Sequence, residues 1–363
     1  MKFTFDRPTA GRRDRTVQIV ELASRAEAAG FDRYAVSDWK FFQDCFVLMT
    51  ACLQATKAIE IESVVTEPYV RNVAVTAAAM ATMADLSEER TVFGIGGGVE
   101  SSFRVWTSPW GHERPHPLAA VREAVDVSRR MWRGDEVTHR GKVVRVEQAK
   151  LSFASPSKIP VCIAARSPKM QALAGEIADI VHVASFYLGI PWQRQILANI
   201  GLGAQRAGRP MSSIEIDMTI PCSVSDNRDD ARQAVKRLVA QGITWMTAVD
   251  EYALKGWRPP EELVVPEDLV RLLSTWNFRA QPIPPEEIRD AIDDRLIDQF
   301  AIAGTPAECA ERLRSLASEL PEVTGFRIYA VPAIREATLP YPYEAYVEAM
   351  DSFRDVIKLT NHT

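Results

Sequence analysis

The sequence predicts an α/β fold, a (β/α)8 barrel with insertions at its C-terminal mouth. Three observations carry that expectation. Apolar, β-rich runs alternate with amphipathic helical runs nearly to the end of the chain, the pattern of a parallel sheet with helical crossovers. The runs form eight strand–helix units, the number that closes a barrel, and 363 residues is a fitting length. An open doubly wound sheet satisfies the alternation too, but the strand count favours closure.

The units follow in order. "KFTF" is the first strand, and the helix over 14–29 after it ends at Gly30, where a C-cap is wanted. "RYAVS" precedes a helix over 43–56, and "IEIESVV" one over 72–86. After "TVFGI" comes a helix over 117–133, where Leu118, Val121, Val125 and Trp132 recur at helical spacing and leave Arg122, Glu123 and Arg129 for water. "IPVCIAA" leads into a helix over 168–177, with Ser167 as N-cap and Pro168 at its first position. "DIVHVAS" and a helix over 192–207 come next, then "IEIDMTIPCSV" and a helix over 227–241 with Gly242 at its expected C-cap. A helix over 306–320 opens on "GTPAE", a capping box with Pro at the first position. "TGFRIYAV" and a last helix over 342–357 close the chain, read as one domain over 1–363. Residues 245–298, rich in Pro, Trp and charge, read as an insertion: a lid or oligomer contact over the mouth, or a helical surface excursion.

Composition narrows the function. The formal charge of -5 and pI near 5.7 give no global attraction to nucleic acid or to an anionic membrane. No apolar run reaches membrane-spanning length and the first residues lack a signal-peptide core, so the cytoplasm is the expected address. Cys45, Cys52, Cys162, Cys222 and Cys309 are odd in number and widely spread, as reduced core thiols are. The five His, at 112, 116, 139, 182 and 362, show no metal-binding spacing, and His112 and His116 read as a solvated pair. The expected partner is a small-molecule substrate.

Chemistry in such a barrel sits where the strands end. That places Phe5, Asp6, Ser37, Asp38, Trp39, Val64, Val65, Thr66, Gly96, Gly97, Gly98, Ala164, Ala165, Arg166, Ser167 and Ser185 at the mouth. "TVFGIGGGVESSF" lacks the spacing of a dinucleotide fingerprint. Its glycines instead leave a loop without side chains, where a flat ligand can come within backbone distance. "AARSPKM" puts a helix N-terminus directly off a strand, with Arg166 and Lys169 beside it: an anion site, or only a cap.

Five segments in order resemble the bacterial luciferase-like superfamily, and within it the deazaflavin (F420)-dependent methylenetetrahydromethanopterin reductase branch. They are "AEAAGFDRYAVSD", "VVTEPYVRNVAVTAAAMATMADLSEERTVFGIGGG", "RPHPLAAVREAVDVSRRMWRGDEVTHRGK", "IPVCIAARSPKMQALAGEIADIVHVA" and "FAIAGTPAECAERL". The resemblance implies a barrel that binds F420, or alternatively FMN, and transfers hydride at the ring to or from a small organic substrate. It implies a non-prolyl cis peptide at Ser63–Val64 or Val64–Val65 as a bulge behind the ring, with Thr66 beside it as a further cofactor contact. Gly96, Gly97 and Gly98 would let backbone approach the cofactor, and Ala164, Ala165, Arg166 and Ser167 would face its phosphate-bearing tail; Trp39, read from the residue itself, offers a flat wall for a ring or apolar pocket, or ordinary packing at the mouth. It also implies a homo-oligomer, expected as a homodimer.

Two positions depart from that pattern. Sugar-phosphate and alcohol dehydrogenase relatives end the second strand in Asp-His, where this chain has Asp38 and Trp39. The sugar-phosphate relatives carry an acid directly after the glycine loop, where this chain has Val99, with Glu100 one step on. Alcohol oxidation through a His base is therefore not expected. Asp38, partly desolvated beside Trp39, is the first candidate for proton supply and Glu100 the second. Two other functions stay open: an FMN-dependent luciferase-like monooxygenase, and a non-catalytic barrel that binds cofactor or an oligomer partner.

Overall fold

The computed structural model describes residues 1–7, 14–40, 42–98, 116–155, 158–247, 260–277, 281–334 and 341–361. Eight parallel strands close a barrel: β1 (Lys2–Asp6), β2 (Arg33–Ser37), β3 (Glu60–Val64), β4 (Thr91–Ile95), β7 (Val161–Ala164), β8 (Ile180–Val183), β9 (Glu215–Val224) and β11 (Gly325–Ala330). Pairing runs around that order, and β1–β11, β11–β9 and β9–β8 complete the ring. The eight strand runs expected from the sequence are these eight strands.

The outer helices are α1 (Thr16–Ala29), α2 (Cys45–Ala55), α3 (Val73–Leu86), α4 (Pro117–Trp132), α5 (Pro168–Ile177), α6 (Ile190–Arg206), α11 (Pro306–Glu319) and α12 (Tyr343–Asn361). Their ends follow the expected chemistry. Gly30 closes α1 at φ +93, and the Thr305–Glu308 capping box opens α11. Apolar side chains fill the layer between strands and helices, Phe5 stacking on Tyr34 with centroids 5.7 Å apart.

Three departures have local causes. An antiparallel hairpin, β5 (Val137–Arg140) and β6 (Arg145–Ala149), follows α4. The Glu123 carboxylate, expected in water, accepts the N–H groups of Lys142, Val143 and Val144 at 2.9, 3.0 and 2.8 Å at that hairpin's turn. These donors hold its carboxyl below the usual range although burial opposes them. Gly242 is not a C-cap: it lies inside α7 (Arg228–Met246), where a Cβ would stand 2.7 Å from the Phe300 ring. Close packing rather than a turn requires the glycine.

The chain between β9 and β11 leaves the barrel wall through α7, then α8 (Glu267–Thr275), α9 (Glu286–Asp290) and α10 (Asp294–Phe300). α7 packs on β9, on α10 and on the short β10 (Ile302–Gly304), which extends the rim by pairing with Cys222–Val224. All five cysteines are buried and free.

Inside the barrel, below the mouth, the filling is ionic. Arg327 donates to Glu62 at 2.7 Å and to Asp217 at 2.8 Å, all three buried, while Arg33 reaches Glu60 at 2.7 Å and Glu215 at 2.9 Å. Four strands are thereby cross-linked through the interior. Removing one partner of such a set costs about 3–5 kcal/mol because it strands a buried charge.

Candidate active site

Parallel strands bring their C-terminal ends to one rim. There β3, β4 and β7 meet around a bulge. β3 pairs with β4 at Ile61–Thr91 and Glu62–Val92, and the next pair is Thr66–Ile95. The step from Glu62 to Thr66 is one residue longer than that from Val92 to Ile95, so β3 carries an extra residue within Ser63–Thr66. Thr66 N donates to Gly94 O at 3.0 Å, and Gly96 N to Thr66 O at 2.9 Å.

Ser63 is fully buried; its hydroxyl donates to Gly94 O at 2.9 Å and accepts from Gly94 N at 3.0 Å. It shapes the bulge and has no hydroxyl to offer a ligand. Val64 and Val65 are half-buried, and Thr66 is buried with its Oγ1 lacking a hydrogen-bond partner among the described residues. A Cβ on Gly96 would stand 2.9 Å from Val65 Cγ2 and 3.8 Å from Ala164 Cβ, so the missing side chain lets the bulge and loop touch. Gly97 and Gly98 are half-buried, Gly98 at φ +67.

At the end of β7, Ala164 is half-buried and Ala165 N donates to His182 O at 3.0 Å. Ser167 Oγ accepts from Met170 N at 3.3 Å and caps α5, as the sequence predicted. The Arg166 guanidinium lies over the Trp245 ring, 4.9 Å from its centroid. Burial lowers its pKa, and among the described residues no carboxylate pairs with it. Phe186 lies against both Trp245 and Tyr329, with centroids 5.2 and 5.4 Å apart. An aromatic wall with one cation therefore stands beside the helix N-terminus.

Across the mouth, the Asp38 carboxylate is ion-paired with Lys40, whose Nζ also lies 3.4 Å from Glu67 Oε1. Asp38 N donates to Val64 O at 3.3 Å, which ties this cluster to the bulge. The Asp38 side chain is thus paired with a cation rather than standing alone beside Trp39. Trp39 is 42% exposed at the rim. Glu100 lies outside the described residues.

Phe5, Asp6 and Ser37 are buried at their strand ends, and Ser185 Oγ accepts from Trp192 Nε1 at 3.3 Å. Lys40, Glu67, Phe186, Trp245 and Tyr329 were missed by sequence reasoning. Lys40 had a signal, since it follows Asp38 and Trp39 at a strand end. Trp245 had none, because only the path of α7 brings it to Arg166. No described group of His, Cys, Asp and Glu has the makings of a metal site.

A closed parallel barrel with a bulged third strand, a side-chain-free fourth exit and a capped fifth helix defines a class. Residues 3–321 match the family profile described as luciferase-like monooxygenase, and the chain belongs to that family. Its individual relatives are more specific. It is 26% identical over 308 residues to the 5,10-methylenetetrahydromethanopterin reductase of Methanolobus tindarius, covering 84% of this chain and 87% of that one. It is 29% identical over 296 residues to the enzyme of the same name from Archaeoglobus fulgidus, covering 80% and 83%. The structure of the coenzyme F420-dependent tetrahydromethanopterin reductase from Methanopyrus kandleri superposes with a TM-score of 0.73 at 22% identity, covering 97% of both chains, a likeness of fold.

Proposed function

We propose that the chain is an F420-dependent oxidoreductase that transfers hydride between the deazaflavin ring and a small organic substrate in the barrel mouth. The observation that carries this is the joint presence of a glycine-lined bed and a cation, Arg166, that no carboxylate among the described residues pairs with. The bulge at Val64–Thr66 and the Gly96–Gly98 loop form a surface for a flat ring, with the Thr66 hydroxyl, which has no hydrogen-bond partner among the described residues, beside it. Arg166 and the first turn of α5 offer charge and N–H donors to an anionic tail. Both features fit a ring cofactor with a phosphate-bearing tail, and a barrel kept only for oligomer contacts has no use for either. When bound, that cofactor supplies the hydride chemistry. The chain's residues orient the ring, hold the tail and line the substrate space with Phe186, Tyr329 and Trp39.

The relatives named as methylenetetrahydromethanopterin reductases support F420 over FMN. Titrating the purified chain with each, followed by tryptophan fluorescence, decides between them. F420 is expected to bind, with Arg166→Ala weakening it at least tenfold, about 1.4 kcal/mol. Submicromolar FMN binding with no response to F420 would instead assign the monooxygenase function.

A homodimer is part of the proposal. α2 and α3 present Val47 and Val75 at 65% and 63% exposure, with Phe42 and Val70 exposed nearby in sequence. Exposed apolar residues on two neighbouring helices are suited to self-association. No described helix is long and apolar enough to cross a membrane.

A further inference from the structure

We infer that Lys40 is the proton donor of the reaction, and that Asp38 and Glu67 hold it in position. The inference rests on the proposed hydride transfer and adds the residue that completes it. The Lys40 side chain is 9% exposed and lies between carboxylates that are 3% and 5% exposed. Burying an ammonium this deeply costs several kcal/mol unless charge compensates it, and here two carboxylates do so.

The two carboxylates differ in their remaining capacity. Glu67 Oε2 accepts Tyr69 N at 2.6 Å and Val70 N at 3.1 Å, so it is fixed by backbone. Its Oε1 has no hydrogen-bond partner among the described residues and faces the ammonium at 3.4 Å. Asp38 is tied through its own N–H to Val64 at the bulge. The ammonium is therefore held where the second and third strand exits meet, beside the proposed ring bed, with Asp38 engaged in pairing it.

The chemistry follows from charge. A neutral carbonyl, imine or enone that accepts a hydride from reduced F420 gains a C–H bond and becomes an alkoxide, amide or enolate anion. Each is far more basic than an amine, so an N–H bond of Lys40 breaks and the proton passes to that anion. The hydride's electron pair stays in the new C–H bond, and the cofactor leaves oxidised. A neutral Lys40 then faces two carboxylates, a charge excess that draws a proton back from solvent. The substrate class implied is a neutral unsaturated acceptor rather than a preformed cation, which would need no donor.

The test uses the whole chain with reduced F420 and a panel of carbonyl, imine and enone acceptors, taking forward the acceptor that the wild-type chain reduces fastest. Lys40→Met strands two carboxylates, so it is made both alone and with Glu67→Gln, and folding is checked by thermal melting. In single turnover, both are expected to slow cofactor oxidation by about 10²–10⁴ with F420 affinity within about threefold of wild type. Lys40→Arg keeps the cation but cannot release a proton, so it should stay slow. Asp38→Asn should cost less than about tenfold, since it only supports the donor. A solvent isotope effect in the wild type should vanish in the Lys40→Met variants.

Wild-type rates in Lys40→Arg would reduce Lys40 to a structural cation, and near-wild-type rates in Lys40→Met would remove any role. A loss of 10² or more in Asp38→Asn beside an active Lys40→Met would return the acid to Asp38. A wild-type chain that binds no F420, or binds it and reduces nothing on the panel, overturns the oxidoreductase proposal itself and this inference with it.

Discussion

At the scale of single residues, environment rather than identity sets the chemistry. Asp38 reads in sequence as a carboxyl beside a tryptophan, but the structure pairs it with Lys40. His182 shows the same dependence. Its Nε2 lies 2.7 Å from Thr219 Oγ1, and its pKa is pushed well below 6.5 by burial first and by Arg327 second. The folded state therefore holds a neutral imidazole, while the unfolded chain takes up a proton below about pH 6.5. Its contribution is fully present above that value and is lost as pH falls toward the depressed folded pKa. Chemical denaturation between pH 7.5 and 5 should show wild-type stability falling by up to about 1.4 kcal/mol per pH unit on account of this group. His182→Gln should flatten that part of the slope, and an unchanged slope would mean that the ring is protonated in the fold.

Secondary-structure elements were legible where local chemistry defines them. Caps at Gly30, Ser167 and Thr305 stand where the sequence put them, because a cap needs only neighbouring backbone. The β5–β6 hairpin was not legible, since its strands are polar and its turn is held by Glu123 from another element. The family resemblance implied a cis peptide at the end of β3; what the strand pairing shows there is an extra residue between paired positions. It gives an element-scale prediction. Gly96→Val would drive a branched side chain into Val65 and displace the bulge, so F420 affinity should drop at least tenfold, about 1.4 kcal/mol, with the barrel still folded. Unchanged affinity by fluorescence titration would place the ring elsewhere.

For the whole molecule, the ring of strands leaves α2 and α3 side by side with apolar residues facing out. In sedimentation, the chain is expected to run as a dimer at micromolar concentration. Val47→Glu with Val75→Glu should shift it to monomer, while a wild-type monomer would assign these exposed residues another role. Closure also explains the charged interior. Strands such as "IEIESV" and "EIDMTI" alternate apolar and acidic residues, as a sheet with one wet face would. In the closed barrel both faces are covered, so the acidic face turns inward and meets Arg33 and Arg327.

The sequence by itself determined the eight strand–helix units, their order, the caps at Gly30, Ser167 and Thr305 and the glycine exit, because each depends on contacts a few residues apart. From the same local patterns it marked the strand ends as the place to look for chemistry. Tertiary structure alone decided that Glu62, Asp217 and Arg327 share one ion cluster, that Trp245 lies on Arg166, and that Lys40 stands between Asp38 and Glu67. Those groups lie on different strands or on the long excursion between β9 and β11. Nothing in a local pattern specifies which distant side chains will neutralise a buried charge; only the closed barrel, with water excluded and every rim residue at a fixed position, makes that choice.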